Sequence, residues 1–129
     1  MRGTDPQKAA QEAAACAQAA RIVAREFGVA QRCLLQRRHV GPIWQARATF
    51  YWLLASEQLL GLSFRRIAAY CGRQHSSPRY TVARLHRLRG LDADFHAKVV
   101  NCEQQFAAWI DAGSPDLTTT TTANQTAAA

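Results

Sequence analysis

The chain lacks the marks of several large protein classes. No apolar stretch approaches the roughly 20 residues needed to cross a bilayer, so no membrane association is expected. The start, Met1-Arg2-Gly3-Thr4-Asp5-Pro6-Gln7-Lys8, leads into a small polar helix rather than a run of leucines, and no secretory signal is expected. The four cysteines, Cys16, Cys33, Cys71 and Cys102, are widely spaced and form no Cys-x-x-Cys pair. They read as reduced thiols, mostly small core residues, in a cytoplasmic protein. Cys71 and His75 are four apart, but Gly72 breaks the helix that would align them, and Cys33 and His39 have no ligand spacing, so no metal is expected. No Ser/His/Asp or Cys/His order stands out; neither enzyme activity, nor a cofactor, nor a small-molecule substrate is expected. The stretch from Phe50 to Leu54 has strand-like composition but sits inside a helical pattern, and no strand is expected.

What is present is arginine. The chain has 129 residues, one domain in length, with 48% apolar residues, a net charge of +7 and a pI near 9.9. Between Arg21 and Arg89 stand 13 arginines, no lysine and two acids, Glu26 and Glu57, a balance of +11. Residues 90–129 reverse this, with one lysine and five acids. A solubilising surface usually interleaves both signs. A segregated block of guanidinium groups, always charged and forked, instead suits phosphate and guanine edges.

Periodicity predicts helices throughout. Asp5 and Pro6 open the first, whose stripe Ala9, Ala13, Cys16, Ala20, Val23, Phe27 runs to Gly28. Its alanine-rich half, residues 1–20, reads as an extension that packs weakly. A short helix follows over Gln31–Gln36, with Leu34 and Leu35 inward, then a basic loop from Arg37 to Pro42. A long helix over residues 43–60 buries Phe50, Leu53, Leu54 and Leu60. Ser63 caps a two-turn helix with Ile67, Tyr70 and Cys71 inward, ended by Gly72. Ser76 or Ser77 caps the next, with Pro78 in its first turn and Val82, Leu85 and Leu88 as its core stripe. Gly90 ends it, and Asp92 caps a last helix to about Ala112, with Phe95, Val99, Phe106 and Ile110 inward. From residue 113 a threonine- and alanine-rich tail has little to bury and is expected to be disordered.

The pair of helices either side of Gly72 is a helix-turn-helix pattern. Its residues resemble the C-terminal duplex-binding domain (domain IV) of the bacterial replication initiator DnaA. Gly72-Arg73-Gln74-His75-Ser76-Ser77 is similar to the family signature Gly-Arg-Asp-His-Thr/Ser-Thr, and Tyr80, Val82 and Leu85 continue it. Ile22 to Val29, Leu34-Leu35 with Arg37-Arg38, Arg47, Gly61-Leu62-Ser63 and Ile67 extend the resemblance over about residues 22–88. It implies an all-α, compact helical domain with a helix-turn-helix of the DnaA C-terminal or Trp-repressor-like type. It further implies that His75, Ser76 and Ser77 face bases or nearby phosphates in the major groove. Arg47 would reach the adjacent minor groove, and Ser63 and Arg73 would lie near the backbone. Independently of the family, Arg37, Arg38, Arg65, Arg66 and Arg79 can neutralise phosphates, which gives affinity but no sequence information.

The chain departs from the family in ways that bear on base preference. Gln74 replaces an aspartate, exchanging an acceptor for cytosine N4 with a side chain that pairs with adenine. Serines replace threonines and lose a methyl that can meet thymine, and Pro78 replaces a valine. The basic loop carries Gly41-Pro42-Ile43-Trp44-Gln45 where the initiator is more polar. No Gly-x-x-x-x-Gly-Lys-Ser/Thr loop is present, so ATP-driven origin opening is not expected.

The expected function is therefore sequence-specific binding of double-stranded DNA, as a cytoplasmic, nucleoid-associated regulator of transcription or replication without ATPase activity. The expected organisation is an extension over 1–20, a DNA-binding domain over 21–112 and a tail over 113–129. Two other readings compete. Trp44, Tyr51, Trp52 and Tyr70 could stack single-stranded bases, with Trp44 the best placed. Alternatively the alanine-rich helix makes the chain a protein-interaction module, a homodimer arm or partner-binding helix, with only non-specific DNA affinity.

Overall fold

The centre of the molecule is a helix that is apolar on nearly every side. In this computed structural model, which describes residues 6–35, 41–71 and 78–113, α2 (Gly41–Ala55) touches every other described element. Around it stand α1 (Pro6–Phe27), a short 3-10 helix (Gln31–Leu35), α3 (Phe64–Cys71), α4 (Pro78–Arg89) and α5 (Ala93–Asp111). From Ala46 to Leu54 all but Trp52 are buried. A helix of that composition is stable only when wrapped by others. The fold is all-α and compact, with no strand among the described residues. None of its described helices is long and apolar enough to cross a membrane.

α1 changes character along its length. Ala9 and Ala13 are exposed, whereas Ala15, Cys16, Ala19, Ile22, Val23 and Phe27 are buried against α2 and α5. The helix packs on the body, and it is unbroken at residue 20, where the sequence placed a boundary; burial begins five residues earlier. Gly28 ends α1 at φ +69°, and the Val29 N–H donates to the Ala24 carbonyl at 3.0 Å.

Three further expectations shift. Leu34 is buried but Leu35 is 39% exposed, because the 3-10 helix turns its neighbour outward. α2 stops at Ala55 instead of residue 60. There the chain tightens: the Ser56 carbonyl accepts from the Leu59 and Gly61 N–H groups, both at 2.9 Å, and Gly61 turns at φ +70°. Leu60 is consequently only half-buried. Tyr70 is 42% exposed rather than inward, since α3 buries only the stripe Ile67 and Cys71.

The caps fall where the side chains call for them. Ser63 Oγ accepts from the Arg66 N–H at 3.1 Å and Asp92 Oδ1 from the Phe95 N–H at 3.0 Å. Pro78 occupies the first position of α4, where its missing N–H is no loss. The residues expected to cap α4, Ser76 and Ser77, lie outside the described residues, as does nearly all of the tail. α4 buries Thr81, Val82 and Leu85, with Leu88 half-buried. α5 buries Phe95, Val99, Cys102, Phe106 and Trp109, a 4-3-4-3 stripe, with Ile110 half-buried beside it.

One polar clasp ties α2, α4 and α5. Glu103 Oε2 accepts from Trp52 Nε1 at 2.6 Å and from Arg89 Nη1 at 3.0 Å. Arg89 Nε also donates to His96 Nδ1 at 3.1 Å, and the ring of His86 meets Trp52 edge-on at 4.5 Å. The clasp fixes the C-terminal end of α4 and so its direction across the body.

Candidate nucleic-acid interface

α3 and α4 are consecutive, touch one another and both lean on α2. Of the twelve residues expected at the site, Arg37, Arg38, Arg73, Gln74, His75, Ser76 and Ser77 lie outside the described residues. Arg47, Ser63, Arg65, Arg66 and Arg79 lie within them.

Four of these five belong to the α3–α4 pair. Ser63 is exposed at the start of α3, with its hydroxyl oxygen holding the Arg66 N–H. Arg65 is exposed. Arg66 is also exposed, and its Nη2 forms an ion pair with Glu12 of α1. Arg79, in the first turn of α4, sets its guanidinium 5.6 Å from the centre of the Phe64 ring. That cation–π contact holds the head of Arg79 back over α3, and the residue stays exposed.

Arg47 stands apart. It is only 3% exposed; Nε donates to the Leu34 carbonyl at 3.1 Å and Nη2 to the Cys33 carbonyl at 3.2 Å. Arg47 thus reaches from α2 to donate to two carbonyls of the 3-10 helix. Arg47, for which the resemblance implied a minor-groove contact, here straps α2 to the 3-10 helix.

Two arginines join the surface that the sequence did not single out. Arg84 is exposed and lies 4.6 Å from the centre of the Trp44 ring, and Arg87 is exposed one turn further on. No local pattern marks Arg84; its role depends on the first turn of α2 lying beside the middle of α4. Arg65, Arg79, Arg84 and Arg87 have no carboxylate partner among the described residues.

The four aromatic residues considered for base stacking are dispersed. Tyr51 is buried, Trp52 is bonded to Glu103, Trp44 has one face covered by Arg84, and Tyr70 is tilted against Phe50 with ring centres 6.4 Å apart. Beside Tyr70, α1 and α3 border an open groove of about 510 Å³, lined by Ala9, Ala13, Leu62 and Ala69 and spanned by Glu12 and Arg66.

Burial pushes the thiols of Cys16 and Cys102 up to about 12, so both stay protonated at neutral pH. Burial also raises the phenol of Tyr70. His86 moves the other way: burial, and then the nearby Arg89, hold its imidazole below the ordinary value, partly offset by Glu103. Among the described residues no three His, Cys, Asp or Glu side chains gather as a metal site.

Comparison of the chain with protein-family models, with curated proteins and with solved structures gives no match.

Proposed function

We infer that this chain binds double-stranded DNA through α3 and α4, acting as a helix-turn-helix of the DnaA C-terminal type in a regulator of transcription or replication. The observation that carries the reading is the set of exposed arginines on two successive helices, Arg65, Arg79, Arg84 and Arg87, none matched by a carboxylate among the described residues. Duplex phosphates provide the anion density such a surface lacks. The signature over residues 72–77 adds sequence reading at the leading end of α4, with His75, Ser76, Ser77 and Gln74 toward the bases and Arg73 and Ser63 toward the backbone. Arg37 and Arg38, which precede α2 in the sequence, add two further cations that could neutralise phosphates.

The test is a salt titration of binding to initiator-type boxes and to random duplex. The expected result is tighter binding to a preferred sequence. On any duplex, log K should fall with log salt at a slope of about −0.9 for each phosphate contacted. Absence of binding to every duplex at low salt sinks the reading. Selection of bound duplexes from a random pool then reports the base opposite Gln74.

A second reading, a self-associating or partner-binding module, draws on the groove between α1 and α3 and on exposed Ala9 and Ala13. Removing residues 1–11 separates the two while keeping buried Ala15, Cys16 and Ala19. The DNA reading expects duplex affinity to survive this truncation; the other expects oligomer or partner to be lost with no duplex affinity at the outset.

A further inference from the structure

We propose that Glu12 is an internal competitor for nucleic-acid phosphate at Arg66, so that duplex binding and docking of the N-terminal end of α1 oppose each other. The proposal rests on the DNA reading above and adds a regulatory contact to that surface.

The carboxylate and the guanidinium are 54 residues apart in sequence and meet across the groove between α1 and α3. Ala9 and Ala13, which border the same groove, are exposed alanines with little area to bury, and burial in the core starts only at Ala15. Arg66, by contrast, sits on the arginine surface: it follows Arg65, caps back onto Ser63 and lies two positions from Phe64, the ring under Arg79. One of its terminal nitrogens is therefore committed to a carboxylate while its neighbours face no acid.

An ion pair with the arginine side chain 54% exposed is weak and salt-sensitive. A phosphate diester run offers a denser field and forked geometry for the same guanidinium. On a duplex Arg66 transfers from Glu12 to phosphate, and the first turns of α1 lose their side-chain tie to α3. Linkage makes the effect reciprocal: whatever fixes α1 in place weakens duplex binding by the factor by which duplex loosens α1.

The experiment uses the full chain with a fluorescein-labelled random-sequence duplex, read by anisotropy across a salt series. Four proteins are compared: wild type, Glu12→Gln, Arg66→Gln and the double variant. Removing the Glu12 charge should tighten binding about two- to fivefold. In the Arg66→Gln background the same substitution should change affinity by much less. Amide hydrogen exchange in the segment 6–14 of the wild type should accelerate when duplex is added.

Unchanged or weaker binding by Glu12→Gln overturns the proposal while leaving the DNA reading intact. So does an equal gain with and without Arg66, which would mark a general charge effect. If the wild type binds no duplex, the DNA reading fails first and the competition falls with it. Circular dichroism melts of the four proteins exclude loss of fold as the cause.

Discussion

The arginines of this molecule are treated in two opposite ways. Two are spent on the protein itself: Arg89, at the end of α4, is clasped by Glu103 and His96 of α5, and Arg47 of α2 is buried beneath the carbonyls of Cys33 and Leu34. On the α3–α4 side Arg65, Arg79, Arg84 and Arg87 are exposed and face no acid among the described residues. Where these groups stack at all, it is on aromatic rings, which orient a guanidinium without neutralising it. The same residue type thus serves as scaffold on one side and as available positive charge on the other. Composition alone, which counts both kinds equally, overstates the charge on offer.

The largest expected effect comes from the inner set. Arg47→Ala leaves two carbonyls without their donor and should destabilise the fold by about 2–4 kcal/mol in denaturant melts. Loss of DNA binding in that variant should follow the loss of fold, so that binding returns under stabilising conditions. A variant that keeps its melt but loses binding would move Arg47 back to the outer set. Next is the clasp: Glu103→Ala strands Trp52 and Arg89 and should cost about 1–3 kcal/mol.

The outer set should behave in reverse. Arg79→Gln and Arg84→Gln should each change stability by less than about 0.5 kcal/mol. Each should reduce the salt slope of duplex binding by about 0.9 where the arginine meets a phosphate. A melt shifted as far as that of Arg47→Ala would erase the distinction between the two sides.

The smallest effect is a pH dependence. His86 is held below its ordinary value near 6.5, so the folded protein resists a proton that the unfolded chain accepts. Stability should be flat above pH 6.5, decline as the pH falls through that value, and level off once the lowered folded-state value is passed. The imidazole is largely solvent-facing, so the slope should be shallow. His86→Gln should remove it, as read from melting temperatures between about pH 8 and pH 5.

Much of the fold was legible because its punctuation is chemical and local. Asp92, Ser63, Pro78 and Gly28 each act within a turn of themselves, and the helix boundaries they imply are those observed. Errors arose where a neighbour outside the local sequence decides. Leu59 and Leu60 continue the pattern of α2, yet the chain turns at Ser56 so that Leu62 can bond back to the Leu54 carbonyl at 2.8 Å. Tyr70 has the right spacing to be inward, but α3 is too short and too shallowly seated to bury a third residue. Trp109 was legible and overlooked; continuing 95, 99, 102, 106 by three reaches it.

The candidate site was less legible than the fold. Sequence identified Arg65, Arg66 and Arg79 as exposed cations, but a guanidinium in the sequence gives no sign of whether a carbonyl, a carboxylate or a ring awaits it. The burial of Arg47, the pairing of Arg66 with Glu12 and the stacking of Arg84 on Trp44 are all tertiary facts between residues 13 or more positions apart.

The contact between α1 and α5 carries a consequence for how the chain comes to be folded. Phe27 meets Phe95 with ring centres 6.1 Å apart, and Asn101 bonds to Glu26 across 75 residues. The two helices that close the core thus lie at opposite ends of the described chain. During synthesis Ile22, Val23 and Phe27 can meet α2 early, but the side of α1 that packs on α5 stays uncovered until Ala93–Asp111 emerges. Closing so long a loop is the slow, entropically costly step of an otherwise locally built helical protein. The acidic-leaning α5, which carries none of the proposed DNA-contacting arginines, therefore decides when the arginine surface first acquires a rigid support.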